Sequence, residues 1–431
     1  MQFERKKIIS IVAIIIFAIL VAVALYFVFF RSTPDEGYYI VDGEPVPVGL
    51  LPSIEDGLPP GVAIDPNTGL PYLIDDPDQI DDILDDLEDL EKDIEQRPDT
   101  IANGRETEVD RVIRGDIIGL SSSLSGVGRF YNSDDNKFYK LGPDGQPVLL
   151  SDKVFAGVET VAWNKRGENA ILEFPDGSNI YYDFENNRQV TLPDQMTEFD
   201  FSFDGGQISF EWENEYDEDD NWIGIASPDG SNLQFVEPIG DKQDRIQIDN
   251  SPDGRFVALY TKGTALDKQQ IVPVGKFGEN LKAFEVYGRG FESQWSPDGQ
   301  TMLYSVHSDA TDRKPQLWVT KIKGDSVGDF NQPIEVNTWA HKCAFSSGGS
   351  DLYCAVSDEL PEGIGWFPDL SNQYPEKFYH IDLNTGRKTL LADPVGVRDF
   401  YNASQIILSE DESELYFLDA QTNDIFSLQL K

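Results

Sequence analysis

The chain has 431 residues, with 34 Lys plus Arg against 77 Asp plus Glu and a formal net charge of −43. That charge excludes nucleic-acid binding through a basic footprint, which needs clustered Lys and Arg, and it favours partners that are basic, cationic or neutral. Apolar residues make up 40%, including 26 Phe, 17 Tyr and 7 Trp, so there is enough apolar surface for a large core and wholesale disorder is excluded.

Residues 1–7 carry Arg5, Lys6 and Lys7, and residues 8–30 follow as an uninterrupted apolar run in which Ser10 is the one polar side chain. As a helix rising about 1.5 Å per residue, this run covers a hydrocarbon core of about 30 Å. The basic residues before it and the acidic stretch opening with Asp35 and Glu36 after it orient the helix. Residues 1–7 become a cytoplasmic tail, 8–30 a transmembrane helix, and everything from Arg31 is extracytoplasmic in a single-pass membrane protein. A cleaved signal peptide is the competing reading, because Ala22 and Ala24 have the small-residue spacing of a cleavage site. Against it, apolar sequence continues from Leu25 to Phe30, where a cleavage region turns polar.

Residues 31–110 are rich in acids and prolines, the composition of an extended, semi-stiff stalk. Within it a helix is expected near 77–96, where Ile80, Ile83, Leu87, Leu90 and Ile94 form a heptad seam. Between Asp75 and Glu95 the only base is Lys92, so two copies side by side repel, and two heptads are too few for an isolated coil. The helix is either a docking or weak oligomerisation element, or an amphipathic helix lying on the chain's own globular domain.

Residues 111–431 change character again. Short aromatic and β-branched runs alternate with Gly, Pro, Asn and Asp, the pattern of an all-β domain. Trp295-Ser296-Pro297-Asp298-Gly299 leads into Thr301-Met302-Leu303-Tyr304, and the same frame recurs at Asn250-Ser251-Pro252-Asp253-Gly254 and Phe201-Ser202-Phe203-Asp204-Gly205. Trp163 with Gly167, and Phe345 with Gly349, are degenerate copies. Asp-Gly suits a tight hairpin, which needs positive φ. Each hairpin is followed by two further strands, and four strands per unit make a β-propeller blade. Leu120 and Phe400 extend the frame to the ends on strand count alone, because the first and last units lack the turn. The anchors are then spaced by roughly 40 to 55 residues, near the period of about 40–45 for four-stranded blades. Seven blades fit best, six and eight stay open, and no closing strand borrowed from elsewhere in the chain is demanded.

Ser-Pro-Asp-Gly after an aromatic strand resembles the WD40-like PD40 repeat of TolB-type propellers, specifically at residues 250–254 and 295–299. The Gly-His and Trp-Asp signatures of true WD40 blades are absent. The resemblance implies the fold and, for most of that broad family, binding; it carries no substrate.

Cys343 and Cys354 lie equally far from the centre of the Ser346–Ser350 turn, which sets them opposite one another on paired strands and leads to the expectation of a disulfide in an oxidising exterior. Two buried thiols are the alternative. The acidic run Glu211, Glu213, Glu215, Asp217, Glu218, Asp219 and Asp220 spans a hairpin loop. Glu215, Asp217, Asp219 and Asp220 are weak Ca²⁺ candidates, set against a solvated, self-repelling loop, and no other cofactor is expected. Trp366 and Phe367, between prolines in the insertion Asp358 to Tyr374, are interaction candidates if they do not fold back onto a blade. Gly324-Asp325-Ser326-Val327-Gly328 matches the nucleophile pattern of α/β-hydrolases but lies between two blade strands, without the strand and helix the motif needs. His307, His341 and His380 fall in different strands or loops. The expectation is therefore a membrane-anchored, extracytoplasmic, non-catalytic binding or scaffold module for envelope proteins, peptides or glycans. The alternative is an extracytoplasmic hydrolase or lyase using carboxylates near the central channel.

Overall fold

The computed structural model describes residues 97–431 except Glu215 and Asn280, together with four short strands between residues 38 and 73. The apolar run 8–30, expected to span a membrane, and the expected seam residues Ile80, Ile83, Leu87, Leu90 and Ile94 lie outside the described residues. In residues 1–96 the described segments pair as two antiparallel ladders, Tyr38–Val41 with Glu44–Pro47 and Val62–Ile64 with Pro71–Leu73, where composition predicts an extended spacer.

Residues 97–431 form the second unit. Period-two alternation of apolar and polar residues produces strands, and the tight turns between them give antiparallel sheets of four in sequence order. Blade 1 runs from Ile117–Ser122 to Pro147–Leu149, blade 2 from Thr160–Trp163 to Arg188–Leu192, and blade 3 from Met196–Phe201 to Gln234–Pro238. Blade 4 runs from Ile246–Ile248 to Phe284–Val286, blade 5 from Arg289–Trp295 to Gln332–Pro333, and blade 6 from Cys343–Phe345 to Arg387–Val395. Blade 7 contains Ala403–Leu408, Glu414–Asp419 and Ile425–Gln429. Strands are lettered A to D in each blade from the centre outwards. The A strands of blades 7 and 1 contact each other, as do those of blades 1 and 2, 2 and 3, 3 and 4, and 6 and 7. The chain is a seven-bladed β-propeller.

The core lies between blades. Between blades 1 and 2, Phe138 packs against Trp163 at 5.6 Å and Phe184 at 5.1 Å between ring centroids, and Phe155 meets Tyr182 at 4.7 Å. Such contacts explain the high aromatic content, since flat rings fill the wedge between twisted sheets.

The Ser-Pro-Asp-Gly frame is the A–B turn. Ser296 Oγ donates to Asp298 Oδ1 at 2.7 Å and accepts from the backbone N–H of Thr301 at 3.0 Å, while Gly299 takes φ 64°. The same bonds recur at Ser251 and Asp253, and at Ser202 and Asp204. They identify a turn the sequence disguises. Ser409 Oγ donates to Asp411 Oδ1 at 2.9 Å and accepts from Glu414 N–H at 3.0 Å, with Glu412 at φ 54° where the other copies have Gly. The last anchor is therefore Leu408, not Phe400, which lies in the linker before the A strand. In blade 1 the turn is Ser123 to Gly126, so its anchor is Ser122, not Leu120.

Ring closure also differs from expectation. Blade 1 has four strands of its own, but blade 7 has three and takes its outermost from Asp110–Ile113, antiparallel to Ile425–Gln429. Arg105–Glu108 adds a fifth, parallel strand to blade 6. Residues 97–110, which composition assigns to the stalk, thus belong to the propeller unit. The acidic, Pro-containing flanks mask these strands in sequence, because their apolar contribution reduces to isolated residues such as Val109 and Ile113.

Cys343 and Cys354 are direct cross-strand partners in blade 6 and form a disulfide. Replacing both with Ala is expected to cost about 2–3 kcal/mol by the loop-closure relation, read as a lower midpoint in denaturant with unchanged slope. An unchanged midpoint would show that the hairpin is already fixed in the unfolded ensemble.

Candidate functional site

Because B and D strands end on the same side of the ring, all B–C loops and D–A linkers form one face, here the loop face. The A–B and C–D turns form the other.

On the loop face the connections of blades 4 to 7 brace each other. Arg313 in the B–C loop of blade 5 pairs with Asp267 of blade 4 at 2.6 Å and with Asp309 at 2.5 Å. Its guanidinium lies 5.3 Å from the Trp366 ring of blade 6, a cation–π contact, and its backbone carbonyl accepts from Gly365 N–H at 2.8 Å. His307 stands edge-on to the same indole at 4.5 Å. Further round, Gln421 of blade 7 donates to the Asn372 carbonyl at 2.8 Å and accepts from Arg398. On this frame stand exposed apolar side chains: Trp366 at 53%, Phe367 at 62%, and also Leu266, Leu370 and Val397. The predicted pair Trp366 and Phe367 is therefore presented outwards, with one face of the indole used to lock the loop.

The other side of the loop face, at blades 2 and 3, is acidic. A cleft of about 580 Å³ is lined by Glu159, Glu173, Glu198 and Glu213, with no Lys or Arg in its wall. Glu173 accepts from Thr160 Oγ1 at 2.7 Å and Glu213 from Thr197 Oγ1 at 3.2 Å. Glu198 sits at φ 54° in a bulge of the blade 3 A strand, which turns it out of the ladder. Glu211, 3% exposed, is the cross-strand partner of Thr197. Burial and the adjacent Glu198 and Glu213 push its carboxyl up to about 8.

A third constellation lies near the opposite end of the central channel. Asp200 Oδ2 accepts from Asn250 N–H at 2.7 Å and Nδ2 at 3.2 Å, and Asp249 Oδ2 accepts from Ser293 Oγ at 3.4 Å. Burial and the Asp200 charge push Asp249 up to about 7, while Lys165 in the blade 2 A–B turn opposes the shift.

The acidic run of the sequence is thus split. Glu213 lines the cleft and Glu211 is buried in the blade 3 B strand, whereas Asp217 accepts from Asp219 N–H and Asp220 from Trp222 Nε1 at 3.0 Å. Glu215 lies outside the described residues. Among those described, no group of three or more His, Cys, Asp and Glu is arranged to hold a metal ion. The cleft was not legible in sequence because its acids come from two blades. Gly324–Ser326 is a short 3₁₀ turn in the C–D loop of blade 5. The histidines stay apart: His307 is buried, His341 meets Glu292 at 2.9 Å, and His380 meets Asp351 at 2.8 Å.

No protein-family model matches the sequence, and no curated protein matches it. Among solved structures, an oligogalacturonate lyase in complex with manganese superposes with a TM-score of 0.47 at 9% identity, over 74% of this chain and 90% of that one. Kuenenia stuttgartiensis hydrazine synthase gives 0.49 at 13%, over 75% and 97%. The Cps50 (Swd1) β-propeller domain from Myceliophteria thermophila gives 0.48 at 11%, over 75% and 100%. These are likenesses of fold, and the blade count rests on the strand order.

Proposed function

We propose that the protein is a TolB-like, membrane-anchored propeller, held outside the cell membrane by residues 8–30, whose loop face binds a protein or peptide partner. The observation that carries this reading is the braced arc of blades 4 to 7, where Trp366 and Phe367 are half-exposed on loops fixed by Asp267, Arg313 and Gln421. Fixed aromatic side chains lose little entropy on contact and are favoured anchors of interfaces. The acidic quarter beside them favours a partner that is basic as well as apolar.

The test uses the full chain in intact cells with a membrane-impermeant amine-reactive crosslinker, followed by mass spectrometry. The wild type is expected to give a discrete crosslinked partner, and W366A/F367A to weaken its capture about tenfold or more, with thermal stability kept. A yield equal in both proteins, or no crosslinking from the exterior, would overturn the reading. The Asp200 and Asp249 pair favours a second reading, a carboxylate-dependent hydrolase or lyase, because two neighbouring acids whose proton affinities are both raised are groups that acid–base chemistry uses. That reading requires turnover by the purified full chain that Asp249→Asn abolishes.

A further inference from the structure

We propose that Lys342 and Asn402 are joined by an isopeptide bond that the folded chain forms by itself, with Glu376 as the acid–base group. The proposal is independent of what the loop face binds. Lys342 is the last residue before the A strand of blade 6, Glu376 the last before its C strand, and Asn402 the last before the A strand of blade 7. All three are between 1% and 4% exposed. Lys342 Nζ donates to Glu376 Oε1 at 2.6 Å and to Asn402 Oδ1 at 2.9 Å, so the amine lies one covalent bond from reach of the amide carbon. The amide is held in a single orientation. Its Nδ2 donates to the carbonyls of Ser371 at 3.0 Å and Tyr374 at 2.9 Å, which turns Oδ1 to the lysine. Glu376 is fixed from its other oxygen, which accepts from Ala403 N–H at 2.7 Å. An ion pair needs only lysine and glutamate. The clamped asparagine adds an electrophilic carbon beside a nucleophilic nitrogen, and a rigid, dry site replaces the proximity and orientation that the same reaction lacks in water.

In the reaction Nζ first passes a proton to Glu376, whose carboxyl burial raises, and a buried ion pair becomes a neutral amine and a neutral acid. The Nζ lone pair then forms a bond to Cγ of Asn402. Nζ gives up a second proton, which Glu376 relays to Nδ2 as the Cγ–Nδ2 bond breaks, and ammonia leaves. The Ser371 and Tyr374 carbonyls, already accepting from Nδ2, favour the positive charge that it gains on leaving. Nothing is oxidised or reduced, and no co-reactant is consumed. The product holds an amide where the ammonium stood and a protonated Glu376, so two buried charges disappear. The Lys342–Glu376 ion pair is the reactant state, and its own contribution to stability belongs to the chain before the bond forms. The link ties the inner strands of blades 6 and 7 across 60 residues of sequence, directly beside the Cys343–Cys354 bridge.

The test is mass spectrometry of the full chain in detergent, reduced after prolonged incubation in the folded state. The wild type is expected to be lighter than its sequence by one ammonia. Its tryptic digest should contain a branched peptide, uncut after Lys342, in which fragmentation places Lys342 on Asn402. Glu376→Gln removes the proton relay and is expected to slow formation of that peptide about a hundredfold or more. Wild-type chain dissolved from inclusion bodies in urea should have its full mass and lose ammonia only on refolding, because the three groups meet only in the folded ring. If the Gln variant fails to fold, this refolding time course decides. A folded wild type of full mass would overturn the proposal and leave an ion pair only. Ammonia loss that fragmentation assigns to succinimide formation at an asparagine would overturn it too, as would a Gln variant that links at the wild-type rate.

Discussion

A chain beginning at Gly115 is expected to lose the cooperative melting of the ring, with a thermal midpoint at least about 10 °C below that of a chain beginning at Arg97. The strands removed, Arg105–Glu108 and Asp110–Ile113, pair with the outer edges of blades 6 and 7. Val109, 3% exposed, fills the core shared with Tyr401, Phe417 and Phe426, and Ile113 fills the next, between blades 7 and 1. Burying two such side chains contributes about 1.5–3 kcal/mol each, a large part of a stability of about 5–15 kcal/mol. Arg111 adds an ion pair with the buried Asp424 at 3.2 Å and covers the Phe426 ring. Without these strands blade 7 is a three-stranded sheet whose open edge invites pairing with other chains. Calorimetry and light scattering of the two chains test this; equal midpoints and no aggregation would mean that the ring closes through its A strands alone.

The second large effect is expected at the junction of blades 6 and 7. Lys342 Nζ, almost wholly buried, meets Glu376 Oε1 at 2.6 Å and Asn402 Oδ1 at 2.9 Å, and Glu376 Oε2 accepts from Ala403 N–H at 2.7 Å. Lys342→Met leaves Glu376 buried without its cation, at a cost of about 3–5 kcal/mol at neutral pH. Burial already raises the Glu376 carboxyl, and Lys342 is the main influence opposing that rise. In the variant the native state therefore keeps a proton that the unfolded chain releases near its usual value of about 4.3. Stability then falls as pH rises above that value, so the deficit is small near pH 4–5 and grows towards neutrality. K342M/E376Q should recover more than half of the loss and remove the pH slope, because a neutral amide oxygen still accepts from Ala403. Denaturant midpoints at several pH values provide the measurement. A deficit that is constant with pH would assign the effect to packing of the lysine stem.

How much could be read in advance follows from where each signal resides. The hairpin frame was visible because one turn geometry imposes Ser, Asp and Gly at fixed offsets, and the disulfide because two cysteines equidistant from a turn must face each other. Leu408 was missed because Glu412 adopts the left-handed conformation expected of Gly, held by Asp411 and Ser409. The exposed Trp366 and Phe367 were recognised as loop residues, but their bracing by Arg313 was not, since that contact joins positions in different blades.

The sequence by itself determined the all-β class, the blade period and the pairing of Cys343 with Cys354, all of which are local: each depends on strand alternation or turn chemistry within a few residues. Tertiary structure alone decided that Asp110–Ile113 closes blade 7, that Glu173 and Glu198 share a cleft, and that the Asp200 charge raises the proton affinity of Asp249. The physical reason is ring geometry. A closed circle of wedges brings the beginning of the unit against its end and neighbouring blades within van der Waals range. Residues tens or hundreds of positions apart thereby become partners, with no periodic trace in the chain that joins them.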